Sequence, residues 1–103
     1  LGRADDMMRI GGEGVSPAEV EATLIENQTV LEAAVVGERD EGDVLRAVAY
    51  VVPAPDAEVD PEELTEWCRK RLAGYKRPRR YEIVTDLPKT ATGKIQRYKL
   101  RSS

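Results

Sequence analysis

The stretch from Leu45 to Val52 constrains the fold more than any other. Leu-Arg-Ala-Val-Ala-Tyr-Val-Val is nearly continuous in apolar residues, the pattern of a central strand, and Pro53 and Pro55 end it. A second β-rich run, Glu32 to Val36, precedes it across a charged turn from Glu38 to Asp43. Tyr81 to Val84 supplies a third strand. Two helix starts flank these runs. Ser16-Pro17-Ala18-Glu19 pairs a capping serine with a proline at the first helical position, and Glu19 is placed to complete a capping box. That helix is expected from Pro17 to about Glu26, with Val20, Leu24 and the alanines inward, Glu19, Glu21 and Glu26 wet, and Asn27 as the stop. Asp60-Pro61-Glu62-Glu63 repeats the capping logic for a helix from Pro61 to about Leu72. Its residues Leu64, Trp67, Cys68 and Leu72 share a face, which makes Trp67 and Cys68 core positions, and Gly74 closes it. Ile95 to Leu100 is expected to form a last helical turn. The expected class is α+β: a small three-stranded sheet packed by two main helices, with an N-terminal Gly-Gly hairpin and a C-terminal lysine loop.

A chain of 103 residues makes one domain with one modest core. It begins at Leu1 rather than methionine and ends in Arg101-Ser-Ser, so we expect residues 1–103 to be a piece of a longer protein. It contains no secretory signal pattern and no apolar run of membrane-spanning length, and a soluble chain is expected. Cys68 is the single cysteine and there is no histidine. An internal disulfide, a conventional zinc site and Ser-His-Asp or Cys-His catalysis are therefore excluded within the chain. The net charge of −3 conceals an asymmetry. Residues 1–68 carry 4 Lys+Arg against 17 Asp+Glu, while residues 69–103 carry 12 against 2. A basic final third is an electrostatic footprint for an anion. The acidic remainder repels a long polyanion, which favours a nucleotide over nucleic acid.

Three stretches carry candidate chemistry. Pro88-Lys-Thr-Ala-Thr-Gly-Lys94-Ile-Gln-Arg97 places small and hydroxylated residues just ahead of a lysine. Such a loop can approach an anionic ligand closely and deliver the lysine as a mobile point charge. It is not a P-loop: Pro88 stands where the first glycine belongs, and Ile95 replaces the magnesium-binding Ser or Thr. On local grounds the plainer reading of Lys94, a solvated lysine in a basic tail, comes first. Gly11-Gly12 lies between two short extended pieces and serves either as a plain turn or as a point of close backbone approach to a ligand. Tyr75-Lys76-Arg77-Pro78-Arg79-Arg80 can stack a base and bind its phosphates, or it can be a solvated connector.

Two blocks together resemble a known family. Gly2-Arg3-Ala4-Asp5-Asp6-Met7, running into Gly11-Gly12-Glu13 and Ser16-Pro17-Ala18-Glu19-Val20-Glu21, is the first. Leu87-Pro88-Lys89-Thr90-Ala91-Thr92-Gly93-Lys94-Ile95 is the second. In order and spacing they resemble the C-terminal domain of the adenylate-forming superfamily, which comprises acyl- and aryl-CoA synthetases, peptide-synthetase adenylation domains and luciferases. The Tyr75–Arg80 segment leans the likeness toward the acyl- and aryl-CoA ligases, with a peptide-synthetase adenylation domain as the alternative. The resemblance implies an acid–thiol ligase using ATP, as its magnesium complex, and coenzyme A. The isolated piece is expected neither to bind these by itself nor to turn over. Its partner is the N-terminal adenylation domain of the same chain.

The resemblance also implies roles. Lys94 bridges carboxylate and ATP phosphate during adenylate formation. Residues 1–6 form a hinge centred on Asp5, about which the domain rotates. Gly11 and Gly12 then line the pantetheine tunnel, which a side chain at Gly12 would block. Arg3 contacts the nucleotide, and Tyr75, Arg77, Arg79 and Arg69 meet the nucleotide part of coenzyme A. Many members have lysine at the position of Arg9, a change that keeps the charge. In several CoA ligases the lysine matching Lys94 is acetylated by a protein acetyltransferase, which removes the cation that adenylation requires. Regulation of Lys94 by acetylation, a cytoplasmic location, and no nucleic-acid or membrane partner are expected accordingly. A protein-interaction module that serves as the acetyltransferase substrate is a further expectation, compatible with the first.

Overall fold

A computed structural model describes residues 7–100. The elements run β1 (Met8–Ile10), β2 (Glu13–Val15), α1 (Pro17–Ile25), β3 (Val30–Arg39), β4 (Leu45–Pro53), α2 (Pro61–Arg71) and β5 (Arg80–Ile83). Short 3-10 turns lie at Gly74–Lys76 and Arg97–Lys99. The class is α+β, with two helices against a three-stranded mixed sheet and a separate two-stranded sheet.

The apolar run forms β4, the middle strand of the order β3-β4-β5. β3 pairs with it antiparallel across the tight turn at 40–44. Asp40 builds that turn by accepting the Gly42 and Val44 amides at 2.9 and 3.0 Å. β5 pairs parallel to β4, from Val48↔Arg80 to Val51↔Ile83. Parallel neighbours need a crossover, and α2 provides it. β3 is longer than the expected Glu32–Val36, because pairing with β4 extends it from Val30 to Arg39.

Both faces of the sheet are covered. On one, Ala33, Val35, Ala47, Ala49 and Val51 pack against Val20 and Leu24 of α1 and Leu64, Cys68 and Leu72 from the α2 region, with Met8, Ile10 and Val15 closing the side. Alanine at three of the five sheet positions lets the helices approach closely. On the other face, Ala34 and Val52 are covered by Leu87, with Tyr50, Val84, Ile95 and Leu100 packed around them. The segment carrying Lys94 is thus the lid of the second core.

Three local expectations need correction. Glu21 is buried, because it faces the edge of β3, while Ala18 and Ala22 are exposed. Ser16 caps α1 through the Glu19 amide, but the Glu19 carboxylate does not close a capping box; it binds Lys76 at 3.0 Å. Asn27 follows the Glu26 cap of α1 as expected, its amide donating to the Leu24 carbonyl at 3.0 Å, and its Oδ1 accepts the Thr29 amide at 3.0 Å and the Thr29 hydroxyl at 2.7 Å, turning the chain into β3. Gly74 does not close α2, which ends at Arg71, and instead opens the following 3-10 turn. Trp67 is half-buried at the rim of the core, its indole N–H donating to the Thr23 carbonyl at 2.9 Å and its ring stacked by Arg71.

Leu64 is fully enclosed, and truncating it leaves a cavity between α2 and the sheet. Leu64→Ala is expected to destabilise the fold by about 2–5 kcal/mol in urea titrations read by Trp67 fluorescence. Tyr98→Ala, at an exposed site, should change stability by no more than about 0.5 kcal/mol.

Candidate functional site

Lys94 is the last residue of a narrow tip, residues 90–94, which turns at Ala91-Thr92 and is closed at its base by an antiparallel bridge between Lys89 and Ile95. Within it the Thr90 amide donates to the Lys94 carbonyl at 2.8 Å, the Gly93 amide to the Thr90 carbonyl at 2.9 Å, and the Lys94 amide to the Thr90 hydroxyl at 3.0 Å. The Thr90 and Thr92 hydroxyls are 3.0 Å apart. Gly93 turns the chain at φ +92°, a conformation that a side chain resists. The backbone of the tip is therefore organised, whereas the exposed Lys94 ammonium has no hydrogen bond or ion pair among the described residues.

Gly11 and Gly12 join β1 to β2 between the paired Ile10 and Glu13, at φ +61° and +83°. Among the described residues, nothing beyond the adjoining residues lies within 4 Å of a Cβ built at either position. Positive φ accounts for the glycines here; crowding within this chain does not. Arg9 donates to the Gly12 carbonyl at 3.3 Å, folding over the turn.

The segment from Tyr75 to Arg80 divides by role. Arg77 donates to the carbonyls of Leu72 and Arg69 at 3.0 and 3.4 Å, so its guanidinium closes the C-terminal end of α2. Arg69 is held by Glu66 one turn earlier, and this pairing raises the guanidinium pKa. Tyr75 is exposed, with the Lys76 ammonium 5.9 Å from its ring centre. Arg79 is exposed and lies 3.9 Å from Asp40, beside Arg39 and Arg46, around an open basin of about 660 Å³. The Val44 amide bond, the Gly42 bond and the nearby Arg46 and Arg79 together hold the Asp40 carboxyl below its usual range. Lys94, the glycine turn and the Tyr75–Arg79 segment share no hydrogen bond or ion pair among the described residues. Arg3 and Asp5 lie outside the described residues.

Sequence reasoning missed how the lysine loop is held. Lys89 bridges Glu32 of β3 and Asp86, each at 3.0 Å. Arg97 makes two 2.6 Å contacts to the two oxygens of Glu21, which also accepts the Val35 amide of β3 at 2.8 Å. The Tyr50 hydroxyl lies 3.3 Å from the Leu100 carbonyl and donates to Glu38 at 3.0 Å. Arg97 stood in the quoted motif, but only folding shows that a carboxylate 76 residues away receives it. Among the described residues, no group of three or more His, Cys, Asp or Glu could hold a metal ion, and no helix is long and apolar enough to cross a membrane.

The family description AMP-binding enzyme C-terminal domain matches residues 19–94. The chain belongs to that family. It is 50% identical over 105 residues to benzoate–CoA ligase of Thauera aromatica, covering 99% of this chain and 20% of that protein. Among solved structures, anthranilate CoA ligase AuaEII in complex with anthranoyl-AMP is similar at TM-score 0.91 and 47% identity, covering 96% of this chain and 20% of that one. o-Succinylbenzoate CoA synthetase from Bacillus subtilis, with the acyl-adenylate OSB-AMP, is similar at TM-score 0.90 and 37% identity, covering 100% and 21%. The chain thus spans about a fifth of the length of these relatives.

In this AMP-binding enzyme C-terminal domain the tip depends on Gly93. Gly93→Ala should strain the turn by about 1 kcal/mol or somewhat more. Hydrogen exchange at the Thr90 and Gly93 amides is expected to quicken roughly five-fold or more, with the β4 amides unchanged.

Proposed function

We propose that this chain is the mobile C-terminal domain of an AMP-forming carboxylate–CoA ligase. The observation that carries the reading is identity sustained over nearly the whole chain with a protein named benzoate–CoA ligase. An exposed ammonium on an organised tip supports it chemically. In the first half-reaction a carboxylate oxygen attacks the α-phosphorus of ATP and pyrophosphate leaves. Lys94 lies between the carboxylate and the phosphate and offsets the charge that develops, which is electrostatic catalysis by a positioned cation. ATP enters as its magnesium complex, on the N-terminal domain that this reading requires as partner.

In the second half-reaction the domain turns about a hinge at Asp5, within residues 1–6, and brings the Gly11–Gly12 turn to the same centre. The thiol of coenzyme A attacks the acyl carbon and AMP departs. Open space around both glycines on this chain leaves their outer side available for a pantetheine arm. Arg3 is assigned to the nucleotide. Tyr75 and Arg79, both exposed, are the side chains best placed to meet the nucleotide of coenzyme A. Arg77 and Arg69 are assigned to the same nucleotide, although Arg77 also closes the end of α2 and Arg69 is paired with Glu66.

In the intact enzyme, Lys94→Ala is expected to lower pyrophosphate exchange by at least about 100-fold, as loss of one charge-stabilising donor does, while thioester formation from supplied acyl-adenylate continues. Gly12→Trp should show the reverse. Normal pyrophosphate exchange in Lys94→Ala would remove the lysine from this role.

Exposure of Lys94 is compatible with acetyl transfer to it, and we propose a protein acetyltransferase as a further partner. Acetylation neutralises the ammonium and should arrest adenylation alone. Peptide mass spectrometry after treatment of the intact enzyme with an acetyltransferase and acetyl-CoA should find the acetyl group on Lys94. Labelling confined to other lysines contradicts this.

A further inference from the structure

The loop that carries Lys94 is attached to the body by polar ties on both sides of its tip. Lys89, before the tip, holds Glu32 at 3.0 Å. Arg97, after it, holds both oxygens of Glu21 at 2.6 Å. The two ties differ in setting. The Glu21 and Arg97 side chains are 10% and 22% exposed, against 31% and 27% for Glu32 and Lys89. The more buried pair is less screened by salt and is fixed by two parallel N–H···O bonds. Glu21 is itself fixed, since it sits on α1 and accepts the Val35 amide of the edge strand at 2.8 Å. A single carboxylate therefore holds a helix, a sheet edge and the lysine arm in one register.

We propose that Glu21 and Arg97 are positioning residues for Lys94, setting where the tip stands when the first half-reaction begins. This rests on the proposed ligase reading. Neither side chain touches the reacting atoms; both act through the arm. Apolar packing by Leu87, Ile95 and Leu100 keeps the arm on the sheet, but such contacts are non-directional and allow sliding. The bidentate pair supplies the directional restraint. A displacement of about 1 Å at a catalytic group can lower a rate about 100-fold. The second half-reaction uses the Gly11–Gly12 turn, which makes no hydrogen bond or ion pair to the arm among the described residues, so it should be insensitive to the same displacement.

The test uses the intact enzyme with Arg97→Met, Arg97→Lys and Glu21→Gln, beside Lys94→Ala. Arg97→Met should lower kcat for pyrophosphate exchange by about 10- to 100-fold. KM for ATP and carboxylate, and thioester formation from supplied acyl-adenylate, should stay within about 2-fold. Arg97→Lys keeps the charge without the fork and should recover part of the loss. Glu21→Gln keeps an acceptor for the Val35 amide and should resemble Arg97→Met. Hydrogen-exchange mass spectrometry should show faster exchange in residues 86–100 alone. Equal loss of both half-reactions, with faster exchange through α1 and β3, would reduce the pair to a fold contact and overturn the proposal. So would unchanged adenylation in Arg97→Met alongside an inactive Lys94→Ala, which leaves the ligase reading intact. Normal adenylation in Lys94→Ala would instead sink that reading and this proposal together.

Discussion

The arrangement depends on one buried carboxylate. Glu21 joins three neighbours through one side chain: its own helix, the amide of Val35 on the sheet edge, and the guanidinium of Arg97 near the end of the chain. A carboxylate taken out of water is tolerated only when its oxygens are paired and bonded. Both oxygens are occupied here, so burial converts a costly group into a specific one. An apolar residue at position 21 could fill the space, but it could neither accept the strand amide nor fix the arm in angle. The edge of β3 would then present an open donor at Val35, the kind of group that sheets otherwise cover.

Covering both faces of a three-stranded sheet explains why so short a chain holds together. α1 and α2 cover one face and the arm from Leu87 to Leu100 covers the other. The arm is thus a structural lid and the carrier of Lys94 at once. Its base is packed and its tip projects beyond the bridge between Lys89 and Ile95. Under the proposed reading, a charge that serves a centre on another domain must stand clear of its own domain while keeping a defined origin. Hydrogen bonds among Thr90, Gly93 and Lys94 set that origin, and the long lysine side chain supplies the reach.

The parts legible in the sequence were those with local causes. Ser16-Pro17 and Asp60-Pro61 announced both helix starts, because capping is a matter of a few adjacent residues. The apolar run announced the central strand. Glu21 was misplaced because helical periodicity assigns a glutamate to the wet face, and nothing near it in sequence signals a partner 76 residues away. Gly74 was assigned to the end of α2 by residue type, whereas the helix stops at Arg71 with Leu72 as its cap. The lysine tip was visible as a motif; the ties that hold it are long-range pairs and could only be seen folded.

The charge asymmetry takes on a different meaning once folded. Read along the chain, the basic final third suggests a surface waiting for an anion. In the structure much of that charge is answered from the acidic first two-thirds: Lys76 by Glu19, Arg79 by Asp40, Arg80 by Glu38, Lys89 by Glu32 and Arg97 by Glu21. The exposed pairs among these contribute little stability individually, about 0–1 kcal/mol each. Their collective effect is on the field. Paired charges leave a short-range potential that salt screens within about 10 Å, so a basic tail that looks suited to any polyanion is largely neutralised against its own body. Lys94 escapes that neutralisation because the loop carries it past the carboxylates that hold its neighbours. Among the described residues Lys70 and Lys99 likewise make no ion pair, and Lys94 differs from them in standing on a loop closed by a backbone bridge.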